Sequence, residues 1–123
     1  MSKRRDIVLQ KANRLRHPAA FQAVYNHKKS LANRHLVCYL LPRADGGATR
    51  FGFSISKKVG KAHTRNQLKR RLSEITRLHL ADIRSGYDVI IIVRRPAVAL
   101  SYAALQKAYL TLLGKGGLYD APR

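Results

Sequence analysis

Residues 49–74 read TRFGFSISKKVGKAHTRNQLKRRLSE, and the fold turns on this stretch. Its first eight residues alternate. Phe51, Phe53 and Ile55 take one face of an extended chain; Arg50, Gly52, Ser54 and Ser56 take the other. A period of two marks a half-buried β-strand. Residues 57–62 (KKVGKA) then form a basic loop. Beyond it the period changes. Leu68, Leu72, Ile75 and His79 recur at helical spacing, which predicts a helix over about 63–82. At about 100° per residue, Arg65 and Lys69 lie beside the apolar stripe, with Asn66, Arg70 and Arg77 opposite.

Upstream, residues 35–41 (HLVCYLL) are rich in strand formers. Leu36, Cys38 and Leu40 form one face; His35, Val37, Tyr39 and Leu41 form the other. Asp45-Gly46-Gly47 is turn chemistry, so the two strands are expected to pair as a hairpin. Stacking the aliphatic face with Phe51, Phe53 and Ile55 builds a core. The opposite face then carries His35, Tyr39, Arg50, Ser54 and Ser56 around a bare Gly52, open to solvent. Further upstream, Pro18 opens a short helix striped by Phe21, Val24, Tyr25 and Lys28. Residues 1–16 read as a basic N-terminal arm that orders on binding.

Downstream, Ser85-Gly86 turns into residues 87–94 (YDVIIIVR). The unbroken apolar run Val89–Val93 predicts an interior strand buried on both faces. Ser101 is the expected N-cap of a last helix striped by Leu105, Ala108, Tyr109 and Leu112, with Gly114, Gly116 and Gly117 ending it. The order is α-β-β-α-β-α in one domain over residues 1–123.

Charge narrows the partners. Twenty-five Lys and Arg face six Asp and Glu, a net charge of +19. Useful charge for a small soluble domain is about 2–8, so solubility alone is a weak explanation. A polyanion that relieves the self-repulsion is the better one. Nucleic acid fits; a membrane surface would call for a basic helix with bulky outward apolar residues, which is missing here. No run of apolar residues approaches the ~20 that span a bilayer. The N-terminus has too short an apolar segment for a secretory signal, so a cytoplasmic, reducing location is expected.

The acidic residues exclude chemistry. Glu74 is the only Glu, and Asp6, Asp45, Asp82, Asp88 and Asp120 are scattered. None pairs with another at i, i+2 or i, i+4, so a protein-held two-metal nuclease centre is disfavoured. The five histidines lack ligand spacing, and Cys38 alternates with Leu36 and Leu40 as a small buried hydrophobe. Seven residues separate Gly52 from Gly60, and Ala62 follows Lys61, so a Walker loop is rejected. Arg50–Ile55 departs from the aromatic strand of RNA-recognition motifs, because Phe51 follows Arg50 directly and Ser54 follows Phe53. No catalytic residue and no metal ligand is assigned.

The strongest signal is Lys57-Lys58-Val59-Gly60-Lys61 followed by Arg65-Asn66-Gln67-Leu68-Lys69-Arg70-Arg71. An ordinary exposed helix balances its cations with Glu at i, i+4. This one does not, which suits phosphates, while Asn66 offers a donor and an acceptor to 2′-hydroxyls or base edges.

Phe51–Glu74 closely resembles the signature of the bacterial ribonuclease P protein component. Leu15–Ser30 is similar to that family's first helix, and Tyr87–Leu105 to its last strand, Arg-Pro turn and final helix. The resemblance implies an α/β (α+β) two-layer sandwich, like ribosomal protein S5 domain 2, with a left-handed β-α-β crossover. It implies the protein subunit of a ribonucleoprotein that removes the 5′ leader of precursor tRNA, with RNA as the catalytic centre and Mg²⁺ held mainly by RNA. Partners implied are the catalytic RNA and the single-stranded leader. Position by position, Lys57, Lys58, Arg65, Asn66, Lys69 and Arg70 match the RNA-binding loop and helix, and Phe21, Tyr25 and Tyr39 match the leader-cleft aromatics. Ser54 falls on the same open strand face. Gln67 and Ser73 stand where the family commonly has Arg, each expected to cost an RNA contact. Two other readings compete: a structural protein of an RNA assembly, and a protein-only nuclease, which the carboxylate count disfavours.

Overall fold

The computed structural model describes residues 9–121. Its elements are α1 (Pro18–His27), β1 (Ser30–Ala32), β2 (Leu36–Pro42), β3 (Arg50–Ser54), α2 (Ala62–His79), β4 (Tyr87–Val93) and α3 (Tyr102–Lys115). The four strands form one sheet in the order β1-β2-β4-β3. β4 is antiparallel to β2 and parallel to β3, so β3-α2-β4 is a parallel crossover unit.

The expected β2–β3 hairpin does not form. The turn chemistry at Asp45–Gly47 is real: the Gly47 N–H donates to Asp45 Oδ1, and Gly46 sits at φ +64°. Yet β4 enters between the two strands. Its run Val89–Ile91 is fully buried, and an unbroken apolar strand is satisfied only at the middle of a sheet. The hairpin that does form joins β1 to β2. Asn33 closes it, its Oδ1 accepting the His35 and Leu36 N–H groups at 2.8 Å each and its Nδ2 donating to Ala108 O of α3 at 3.1 Å. β1 has only three residues and no alternation to reveal it.

The sheet register separates the two faces. Leu40, Val89 and Phe51 form one cross-strand row, and Cys38, Ile91 and Phe53 the next. Against them pack Leu68, Leu72 and Ile75 of α2 and Leu105, Tyr109 and Leu112 of α3. Each fully buried side chain of this size contributes about 1.5–3 kcal/mol. Inside the core, Thr76 Oγ1 donates to Leu72 O at 2.7 Å and lies 2.7 Å from the Tyr109 hydroxyl. Burial pushes the Cys38 thiol up to about 12, which leaves it a packing residue and no nucleophile.

On the far face lies α1, where Val24 packs on Ile90 and Leu15. The Leu15 N–H donates to Phe51 O at 2.9 Å, and Leu9 is buried in the main core. Within the expected arm, residues 1–8 lie outside the described residues. From Leu9 onward the segment is not a free arm, because its two leucines are buried and its backbone bonds to β3. α3 ends as expected at its N-terminus: the Ser101 hydroxyl accepts the Ala104 N–H at 3.1 Å.

Candidate nucleic-acid interface

Two rows of the sheet present the aromatic face. Tyr39, Ile90 and Gly52 form one; Val37, Ile92 and Ser54 form the next. Tyr39 and Ser54 therefore share a face, as the alternation implied. Gly52 is not bare. A Cβ there would overlap Cζ and Cε2 of Phe21, so the ring of α1 occupies the space a side chain would need. This contact is why the strand carries glycine at its centre. Beside it, Tyr25 and Tyr39 meet edge to face with centroids 5.1 Å apart. All three aromatics are half-buried.

Between the N-terminal segment, β3 and α2 runs a cleft of about 290 Å³. Phe21, Gly52 and Phe53 supply its apolar wall; Lys69 and Ser73 of α2, with Arg14 and Arg16, supply its polar one. Of the four residues expected at a leader cleft, Phe21 lines this space. Tyr25 and Tyr39 form the adjoining aromatic pair, and Ser54 lies in the next row of the same face. Arg14 and Arg16 were missed as cleft residues. Their charge was visible, but their place depends on Leu15 docking against Phe51.

The basic surface is built by packing beneath it. Val59 is buried and pins the loop, so Lys57 and Lys58 stand exposed. Arg65 is half-buried and donates from Nε to Gly60 O at 3.1 Å, clamping the loop to the helix. Asn66, Lys69 and Arg70 are exposed, with Leu68 and Leu72 buried under them. The first turn of α2 carries no acidic residue and Lys61 caps it without a side-chain bond. Cations at that end oppose the helix dipole, an arrangement that an arriving anion relieves. The ion pairs among the described residues, Arg43–Asp45 at 2.9 Å and Arg50–Asp88 at 2.6 Å, both lie off α2. Glu74, the helix's one carboxylate, faces Tyr102, whose hydroxyl is pushed up first by burial and then by that neighbour. The cations of α2 thus have no carboxylate ion-pair partner among the described residues.

Asp45 and Asp88 are engaged by arginines, and among the described residues no group of three or more His, Cys, Asp or Glu could hold a metal ion. Among the same residues no helix is long and apolar enough to cross a membrane.

The fold and this surface define a class: a small basic α+β protein whose helix and sheet edge are arranged for a polyanion. Comparison with known proteins narrows the class. Residues 9–116 match the family described as Ribonuclease P. The "Ribonuclease P protein component" of Alkaliphilus oremlandii is 40% identical over 109 residues, covering 89% of this chain and 95% of that one. That of Symbiobacterium thermophilum is 39% identical over 110 residues, covering 89% and 96%. The solved RNase P protein of Staphylococcus aureus superposes with a TM-score of 0.83 at 33% identity, covering 89% of this chain and all of that one. The protein from Thermotoga maritima gives 0.76 at 29% identity, covering 83% and 96%. The chain belongs to the ribonuclease P protein family, the RNA-binding protein components of a ribonucleoprotein endoribonuclease that processes tRNA.

Proposed function

We propose that this chain holds two RNAs at once in ribonuclease P. Lys57, Lys58, Arg65, Asn66, Lys69 and Arg70 bind the catalytic RNA. Phe21, Tyr25, Tyr39 and Ser54 bind the single-stranded 5′ leader of precursor tRNA. In this reading the RNA carries the active site and holds the Mg²⁺ that supplies metal chemistry for phosphodiester hydrolysis, in the cytoplasm. The chain's own residues position the strand and screen phosphate repulsion. The observation that carries it is the row of α2 cations without carboxylate partners among the described residues, standing beside a half-buried aromatic face. Each base stacked on such a ring gains about 1–3 kcal/mol.

The test is cleavage of a leader-bearing precursor tRNA at low Mg²⁺ by protein alone, catalytic RNA alone, and both. Cleavage only with both, or much faster, is the expected result. Cleavage by protein alone would overturn the reading.

A further inference from the structure

A second cleft lies on the other side of Arg14 and Arg16. It holds about 640 Å³, with Lys11, Arg14, Arg16, His17, Arg43 and Arg50 around it and only Ala12 and Ala48 as apolar lining. Ligand clefts of this size are ordinarily lined by apolar and aromatic side chains with a few polar groups. Here six of the eight lining residues carry basic side chains. Arg50 gives Nε and Nη2 to Asp88 at 2.7 and 2.6 Å, and Arg43 gives Nη2 to Asp45 at 2.9 Å and Nη1 to Ala48 O. These bonds stiffen two guanidiniums and cancel two charges. Lys11, Arg14 and Arg16 are exposed and have no carboxylate partner among the described residues. Three uncompensated cations thus converge on one concave surface, where a bound anion relieves their repulsion.

We infer that this cleft is a second phosphate-binding site, which grips an RNA backbone running on from the aromatic-walled cleft. The inference rests on the proposed function and extends it. Arg14 and Arg16 line both clefts, so the two are contiguous. Arg14 and Arg16, with no ion pair among the described residues, supply the forked donors that match phosphate oxygens. No Phe or Tyr lines the second cleft, so the Phe platform for base stacking stays with the first. The second holds backbone and is indifferent to sequence. The phosphates belong either to the leader or to the catalytic RNA, which share this chemistry.

The experiment uses the reconstituted holoenzyme and two variants, Lys11→Glu and Arg43→Gln, against Lys107→Glu, an exposed site on α3. Two affinities are measured over a salt series: protein for catalytic RNA, and holoenzyme for precursor tRNAs with leaders of graded length. Lys11→Glu is expected to weaken one of them about tenfold and to lower its log–log salt slope by about 1, as loss of one phosphate contact requires. Lys107→Glu should stay within about twofold. Loss confined to long-leader substrates assigns the site to the leader; loss in assembly assigns it to the catalytic RNA. Equal, small changes in all three variants overturn the inference. Lys69→Ala in the same series separates the two levels: if it weakens binding while Lys11→Glu does not, only the second site fails, and if both are silent the proposed function fails with it.

Discussion

The two faces of the one sheet are built to different standards of closure. Under α2 and α3, seven sheet residues from Leu36 to Val93 are at most 3% exposed. Under α1, Ile90 is fully buried while Tyr39, Leu41 and Ile92 are only half covered. One helix of ten residues cannot roof a four-stranded sheet. What it leaves uncovered is the aromatic row and the clefts. The first face carries the folding free energy, and the second retains surface for a ligand.

The sharpest way to break this contrast is Leu72→Ala on the sealed face. The side chain is 0% exposed, so a loss of about 2–5 kcal/mol is expected by thermal or urea unfolding. A loss below about 1 kcal/mol would mean that face is not the main core. Next is Gly52→Ala, which drives a methyl into the Phe21 ring and should cost about 1–3 kcal/mol. Adding Phe21→Leu should recover part of that loss, and strict additivity in the cycle would disprove the contact. Tyr39→Ala, on the open face, should weaken binding of leader-bearing substrate by about 1–3 kcal/mol and leave leaderless tRNA unaffected. Equal loss for both substrates would refute its place at the leader. Smallest in stability is Lys69→Ala, expected to move unfolding by no more than about 0.5 kcal/mol. In RNA binding it should flatten the salt slope by about 1, and an unchanged slope would remove it from the phosphate contacts.

Much of the sealed face was legible in the sequence, because periodicity reports burial directly. Leu68, Leu72 and Ile75 announced α2, and the run Val89–Val93 announced a two-sided strand. That run also contradicted the β2–β3 hairpin, since a strand buried on both faces needs neighbours on both sides. The local signal at Asp45–Gly47 was strong enough to hide it. The cations of α2 were legible through a lack of Glu. The open face was harder. Tyr39 and Ser54 were placed correctly by alternation, but the covering of Gly52 by Phe21 depends on where a separate helix lands. Arg14 and Arg16 were visible as charge and invisible as cleft walls, because long-range docking of Leu15 decides their position.

The interior strand β4 is also the last of the four strands to be synthesised. β2 and β3 are complete by Ser54, yet neither has its principal partner until Tyr87–Val93 emerges. At roughly 5–20 residues per second, the nascent chain spends seconds with two hydrophobic strand edges unpaired. During that interval its net charge of +19 opposes self-association. A chain arrested before Tyr87 should therefore show no protected β-sheet amides in hydrogen exchange, and one extended past Val93 and α3 should acquire them together. The surface beside β3 and α2 is then complete only once β4 has joined the sheet between β2 and β3.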